Sequence, residues 1–158
     1  MNENTTLRNL GPVEIQRYQQ NRYPCLFVDC IEEAIPGKSA KGYKNFTYNE
    51  WFFPGHFEDE PNVPGFVQIE TLAQVFLMSF LTIPGNEGLK AAALSSKAKF
   101  KKKIIPGHRL DVMAELDSYR RGVAIGRSTG YIAGEFACQV EFTVGIPEII
   151  NQFIPGKR

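Results

Sequence analysis

The chain has 158 residues, 43% of them hydrophobic and 22% charged, with a formal net charge of +1. That is the make-up of one globular domain of ordinary size; it excludes a low-complexity or repeat protein and speaks neither for nor against a polyanionic partner. The longest uncharged apolar run, Thr71 to Ile83, is shorter than the ~18 residues a membrane span needs, and Met1 to Asn9 is too polar for a secretory signal. Cys25, Cys30 and Cys138 are odd in number and form no Cys-x-x-Cys pair, which suits a reducing cytoplasm and gives no metal-ligand spacing.

In chain order, residues 1–11 read as a flexible leader and 12–158 as a single domain. Pro12 to Gln20 reads as a short helix with Pro in its first turn. Leu26 to Ala34 reads as a strand, Pro36-Gly37-Lys38 as a hairpin turn, and Ser39 to Thr47 as its partner. A helix follows Pro64-Gly65, with Ile69, Leu72, Ala73, Phe76 and Phe80 at the spacing of a buried face. Its other side carries Val67, Thr71, Val75, Leu77 and Met78, and a helix apolar all round belongs at the centre of a fold. Four strands are expected next: Leu89 to Lys103, Leu110 to Tyr119, Gly122 to Ile132, and Glu135 to Val144. The last alternates, with Phe136, Cys138, Val140, Phe142 and Val144 on its inner face. Arg121-Gly122 and Ala133-Gly134 supply turns between strands. The expected fold is α+β, an antiparallel sheet of about six strands wrapped around one long helix.

Within that helix Glu70 is out of place, because an isolated buried carboxylate costs several kcal/mol unless it is paired or neutral. His56, in a Pro-Gly-His turn among Phe52, Phe53 and Phe57, is the nearest candidate partner. A His in a turn is more often structural, and Glu70 could simply pair with a lysine of the sheet. His108 repeats the Pro-Gly-His tripeptide beside a lysine run, without a following apolar helix, and reads as solvated.

Asn49, Glu50, Phe52, Phe53, Gly55, His56, Phe57, Pro61, Pro64, Gly65, Glu70, Leu72, Ala73 and Gln74 fall in one ungapped register. Together they resemble the hot-dog-fold dehydratases that act on 3-hydroxyacyl-[acyl carrier protein], the FabZ type in particular. Arg22-Tyr23-Pro24, Leu26, Val28-Asp29, Phe100-Lys101 and Pro106-Gly107 extend the likeness over roughly residues 12 to 145. The resemblance implies dehydration of (3R)-3-hydroxyacyl thioesters to trans-2-enoyl thioesters in fatty acid biosynthesis or a related lipid pathway. It implies His56 as base, Glu70 as acid and the Gly65 N–H as oxyanion donor, with Gln74, Phe53, Phe57 and Pro64 orienting or binding substrate. It also implies no metal or organic cofactor. The His and Glu of such sites meet across the interface of a homodimer, which can assemble further as a trimer of dimers.

The chemistry suits these groups. An imidazole titrates near neutral pH and can take the proton beside the carbonyl. A carboxylic acid can protonate the departing hydroxyl, and helix N-terminal N–H groups can hold the enolate oxygen. Gln74, one turn beyond Glu70, is placed equally well to orient that carboxyl or to bond core backbone.

Lys97, Lys99 and Lys101 share one strand face, and with Arg109 they read either as solvated charge or as a dock for an acidic acyl carrier protein. No aromatic platform or known module accompanies them, so nucleic acid is not an expected partner, nor is a membrane. Three departures stand out. Glu58-Asp59-Glu60 occupies a stretch that in the family commonly holds Pro-Gly and one more residue, and its repulsion of an acidic carrier would leave room for a coenzyme A substrate or an unusual carrier. Asn21 stands where a His often precedes Arg-Tyr-Pro. Gln68 interrupts an aliphatic helix start. The competing functions are an acyl thioesterase and a non-catalytic acyl-thioester-binding protein of the same fold.

Overall fold

The computed structural model describes residues 5–156. Along the chain run β1 (Leu7–Leu10), α1 (Pro12–Ile15), β2 (Cys30–Ile35), β3 (Ser39–Asn45), a 3-10 turn (Phe53–Gly55) and α2 (Gly65–Leu81). Then come β4 (Ala92–Phe100), β5 (Arg109–Arg120), β6 (Val123–Ile132), β7 (Glu135–Gly145), α3 (Pro147–Ile150) and a second 3-10 turn (Asn151–Phe153). The strands form one sheet in the order β1-β2-β3-β5-β6-β7-β4, every neighbouring pair antiparallel. It curls around α2, which lies mainly against β3, β5, β6 and β7. This is the hot-dog architecture, with one strand more than the expected six.

The extra strand is β1. Residues 1–4 of the expected leader lie outside the described residues, but Leu7–Leu10 pairs with β2, and Arg8 bonds Glu33 at 2.7 Å. The leucines at its two ends face the core margin, a signal too short to read as a strand. The helix expected to reach Gln20 holds α-geometry only over Pro12–Ile15.

Close approach of helix to sheet depends on glycine. A Cβ at Gly126 would stand 2.6 Å from the Phe76 ring and 2.1 Å from the Glu115 carbonyl oxygen. The absence of side chains there lets Phe76 reach Phe142, stacked at 5.4 Å between centroids. Leu72, Val75, Phe76, Met78, Phe80 and Leu81 are all fully buried, each worth ~1.5–3 kcal/mol of burial. At the helix end Asn86 donates its side-chain N–H to the Phe80 carbonyl at 2.9 Å, and Thr82 donates to Met78 at 2.6 Å.

The expected alternation of β7 breaks at its start. The pairing passes from Gly130↔Cys138 to Tyr131↔Phe136, so Ala137 is bulged. Ala137 and Cys138 are both buried, while Phe136 is only half-buried. The Ala137 carbonyl accepts from the N–H groups of Lys101 and Lys102, which ends β4 at Phe100. Burial pushes the Cys138 thiol up to about 12, as befits core packing.

Candidate active site

His56 leaves the 3-10 turn Phe53–Gly55, with its N–H donating to the Phe53 carbonyl at 3.1 Å and its own carbonyl accepting from the Asn62 N–H at 2.8 Å. Its ring Nδ1 lies 3.0 Å from the Asn62 carbonyl oxygen. A carbonyl only accepts, so Nδ1 carries the hydrogen and Nε2 is left with a lone pair. Phe57 stacks on the imidazole at 4.4 Å and is itself mostly exposed. Phe53 is only 1% exposed and meets Phe52 edge-on at 4.8 Å. It therefore anchors the turn from beneath, within an aromatic cluster that includes Phe27, Phe46 and Trp51.

Glu70 lies on the one side of α2 that the sheet leaves partly open, with Phe66 exposed and Ile69 and Ala73 half-buried. It is the only charged residue lining an apolar hollow of about 570 Å³, whose other walls are Cys25, Phe27, Trp51, Phe66 and Ile69. A hollow of about 540 Å³ is formed by Gln152, Phe153, Ile154, Pro155 and Gly156, with no acid or base among the described residues that line it.

Two side-chain amides converge on Glu70. Asn21 Nδ2 donates to Oε1 at 2.8 Å and Gln74 Nε2 donates to the same oxygen at 3.0 Å. Gln74 is fully buried and does more: it donates to the Cys25 carbonyl at 2.6 Å and accepts the N–H groups of Phe27 and Val28 at 2.8 and 3.2 Å. One side chain thus bonds both the Glu70 carboxyl and core backbone. The diversion of these backbone groups also explains why β2 begins at Cys30 and not at Leu26.

At the start of α2, Val67 and Gln68 donate to the Pro64 carbonyl, each at 3.1 Å. The N–H groups of Gly65 and Phe66 take no backbone acceptor among the described residues. Pro64 is buried at the cap, and a Cβ on Gly65 would stand 3.2 Å from the Phe100 ring. Gln68 is buried, and its side-chain N–H donates to the Val63 carbonyl at 3.1 Å.

Within the chain no hydrogen bond or ion pair joins His56 to Glu70, and His56 does not line the hollow beside Glu70. His56, Glu70 and the Gly65 N–H are thus not closed into one slot within the chain. Among the described residues no group of three His, Cys, Asp or Glu is placed to hold a metal ion.

The charged candidates divide. Lys97, Lys99 and Lys101 are exposed, with Lys97 registered opposite Glu141 and Lys99 opposite Gln139. Arg109 is already engaged: it bonds Asp111 at 2.8 Å and Glu32 at 3.1 Å, and stacks over the Tyr43 ring at 3.7 Å. Of the acidic run, Glu58 and Asp59 are exposed, whereas Glu60 is bonded to Lys103, which holds its carboxyl below the usual range. His108 is half-buried, and its Nδ1 accepts from the Ile105 N–H at 3.3 Å.

Sequence reasoning did not place Asn21 on Glu70, nor Trp51 and Phe66 in the hollow. Phe66 was findable, lying one turn before Glu70 on the same face. Asn21 carried no such local signal, because the contact spans 49 residues.

A sequence profile described as the FabA-like domain matches residues 20–141, and the chain belongs to that family. Within it, curated relatives named 3-hydroxyacyl-[acyl-carrier-protein] dehydratase FabZ lie near at hand. The one from Clostridium novyi is 44% identical over 140 residues, 86% of this chain and 98% of its own. That from Natranaerobius thermophilus is 40% identical over 137 residues, 85% and 96% respectively. Among solved structures, the dehydratase heterocomplex ApeI:P from Xenorhabdus doucetiae superposes with a TM-score of 0.74 at 13% identity, covering 89% of this chain and 97% of that one. The E. coli PaaI protein superposes at 0.58 with 12% identity, covering 75% and 78%. Likenesses this remote in sequence show the shared fold alone.

Proposed function

We propose that this protein is a 3-hydroxyacyl-[acyl-carrier-protein] dehydratase, removing water from 3-hydroxyacyl thioesters in fatty acid biosynthesis. The observation that carries the reading is the pair of prepared groups: a His whose Nδ1–H is fixed on a carbonyl, leaving Nε2 basic, and a carboxyl that is the one charge in an apolar hollow. His56 Nε2 takes the proton from the carbon beside the thioester carbonyl. Glu70 gives a proton to the 3-hydroxyl, the carbon–oxygen bond breaks, and a carbon–carbon double bond forms with release of water. The resulting imidazolium and carboxylate reset by proton exchange through solvent. The Gly65 N–H binds the enolate oxygen, a role supported by its position at the positive end of a 17-residue helix.

His56 and Glu70 come together when a second copy supplies one of them, so the working unit is a homodimer. β4 supports this reading: it is an edge strand with nearly every residue exposed, Leu94 and Phe100 among them, and an unpaired edge of that length invites another chain. Phe57 and Pro64 border the two halves of the site. Lys97, Lys99 and Lys101 offer an acidic carrier protein a basic strip, from which Arg109 is removed by its own carboxylates. Among the described residues no helix is long and apolar enough to cross a membrane, and three unpaired cysteines fit work in the cytoplasm.

The test is hydration of trans-2-enoyl thioesters, on carrier protein and on coenzyme A, by the wild type, His56→Ala and Glu70→Gln. Each substitution is expected to lower kcat by at least ~10²-fold, the scale of general acid or base catalysis. Full activity in the doubly substituted protein refutes the assignment. Thioesterase activity is a distinct outcome, read as free thiol released from an acyl thioester that lacks the 3-hydroxyl.

A further inference from the structure

We propose that Asn21 is a positioning residue for Glu70, and that with Gln74 it selects Oε2 as the carboxyl oxygen that trades a proton with the substrate. The inference rests on the dehydratase reading of Glu70. Both amide donors, Asn21 Nδ2 at 2.8 Å and Gln74 Nε2 at 3.0 Å, end on Oε1. A carboxyl oxygen has two lone-pair directions, so Oε1 is saturated and an added proton goes to Oε2. Among the described residues Oε2 has no hydrogen-bond partner, and it is not a buried unsatisfied atom either, so it remains open to solvent or substrate.

Neither donor can swing away. Gln74 is oriented unambiguously, because its Oε1 must face the Phe27 and Val28 N–H groups and its Nε2 must face the Cys25 carbonyl. Asn21 is carried by a stapled segment. Arg22 Nη1 donates to the carbonyls of Asn21 and Gln19, each at 2.8 Å, and Nη2 donates to Gln16 at 3.0 Å. Gln19, fully buried, donates to the Gln74 carbonyl at 3.0 Å, and Gln20 donates to the Gly88 carbonyl at 2.9 Å. The segment preceding β2 is thereby clipped to α2 at the residue that also holds Glu70. A neutral amide donates at every pH, so the orientation of Glu70 does not depend on the charge of residue 21.

The test compares Asn21→Leu, of similar size without a donor, with Asn21→His, which restores one. The readout is steady-state hydration of trans-2-butenoyl thioester, with a thermal melt for each protein. Asn21→Leu is expected to lower kcat about tenfold while KM stays within about twofold, and Asn21→His to recover kcat to within about threefold of wild type. In a Glu70→Gln background the further loss from Asn21→Leu should fall below about twofold, because Asn21 then has no acid to position. An inactive Glu70→Gln beside an Asn21→Leu of wild-type kcat overturns the role of Asn21 alone. So does a loss of the same size in both backgrounds, or a rate that follows the melting temperature and is not recovered by His. A fully active Glu70→Gln overturns the dehydratase reading together with this one.

Discussion

Replacing Gln74 by Leu separates the two jobs of one buried side chain. The substitution keeps approximate size but removes the acceptor shared by the Phe27 and Val28 N–H groups at 2.8 and 3.2 Å, and the donors to the Cys25 carbonyl and Glu70. Cys25 is exposed, so water can replace its lost partner; Phe27 and Val28 are buried, and their donors cannot be rehydrated without opening the core. Each stranded buried donor costs ~1–3 kcal/mol. With part of that returned by the added apolar surface, the net loss is ~3 kcal/mol. For a domain of this length each kcal/mol moves Tm by ~2–4 °C, so a drop of ~6–12 °C is expected. Urea and thermal unfolding followed by fluorescence of Trp51 report it directly, since this lone tryptophan touches Phe52 at 5.4 Å beside the affected segment. A Tm fall under ~3 °C refutes the argument that Gln74 holds residues 25–28 against α2.

Other expectations follow from individual contacts. Gly65→Ala adds a Cβ 3.2 Å from the half-exposed Phe100 ring, which can yield, so stability should change by under ~1 kcal/mol while kcat falls at least ~10-fold as the thioester is kept off the helix N–H groups; an unimpaired kcat counts against the Gly65 site. Gly126→Ala has no such escape, its Cβ meeting backbone oxygen at 2.1 Å, and should destabilise by more than ~3 kcal/mol or prevent folding in urea titrations. At pH 8, iodoacetamide should label exposed Cys25 and leave Cys138 untouched until the protein unfolds, because burial raises the Cys138 thiol to about 12. The Lys103 ammonium holds the Glu60 carboxyl below the usual carboxylate range, so this pair's contribution is present above that range and is lost as pH falls through the depressed folded value. Lys103→Met should therefore reduce the acid-side slope of stability against pH and bring the Glu60 titration, followed by NMR, back toward its ordinary range.

Much of the fold was legible because periodicity reports burial. The apolar run after Pro64-Gly65 became α2, and the alternating segments became β5, β6 and β7, since a helix or strand face that meets the core must repeat at 3.6 or 2 residues. Where the reading missed, a long-range contact had overruled a local pattern. Leu26–Asp29 has the composition of a strand, yet the Gln74 amide claims its backbone. Phe136 breaks alternation because Ala137 bulges to receive Lys101 and Lys102. The site shows the same division. Glu70 was visible as a residue out of keeping with its helix and His56 as its nearest candidate partner, whereas Gly65 and Gln74 came in through the family register. Asn21 was noticed as an odd residue but not as a contact of Glu70, and the engagement of Arg109 by Glu32 was invisible, since 77 residues separate that pair.

Phe100 closes β4 and rests its ring over Gly65, so the rim of the sheet and the mouth of the central helix share a single aromatic plate. A shift of that plate would therefore change how closely any ligand could approach the first amides of the helix.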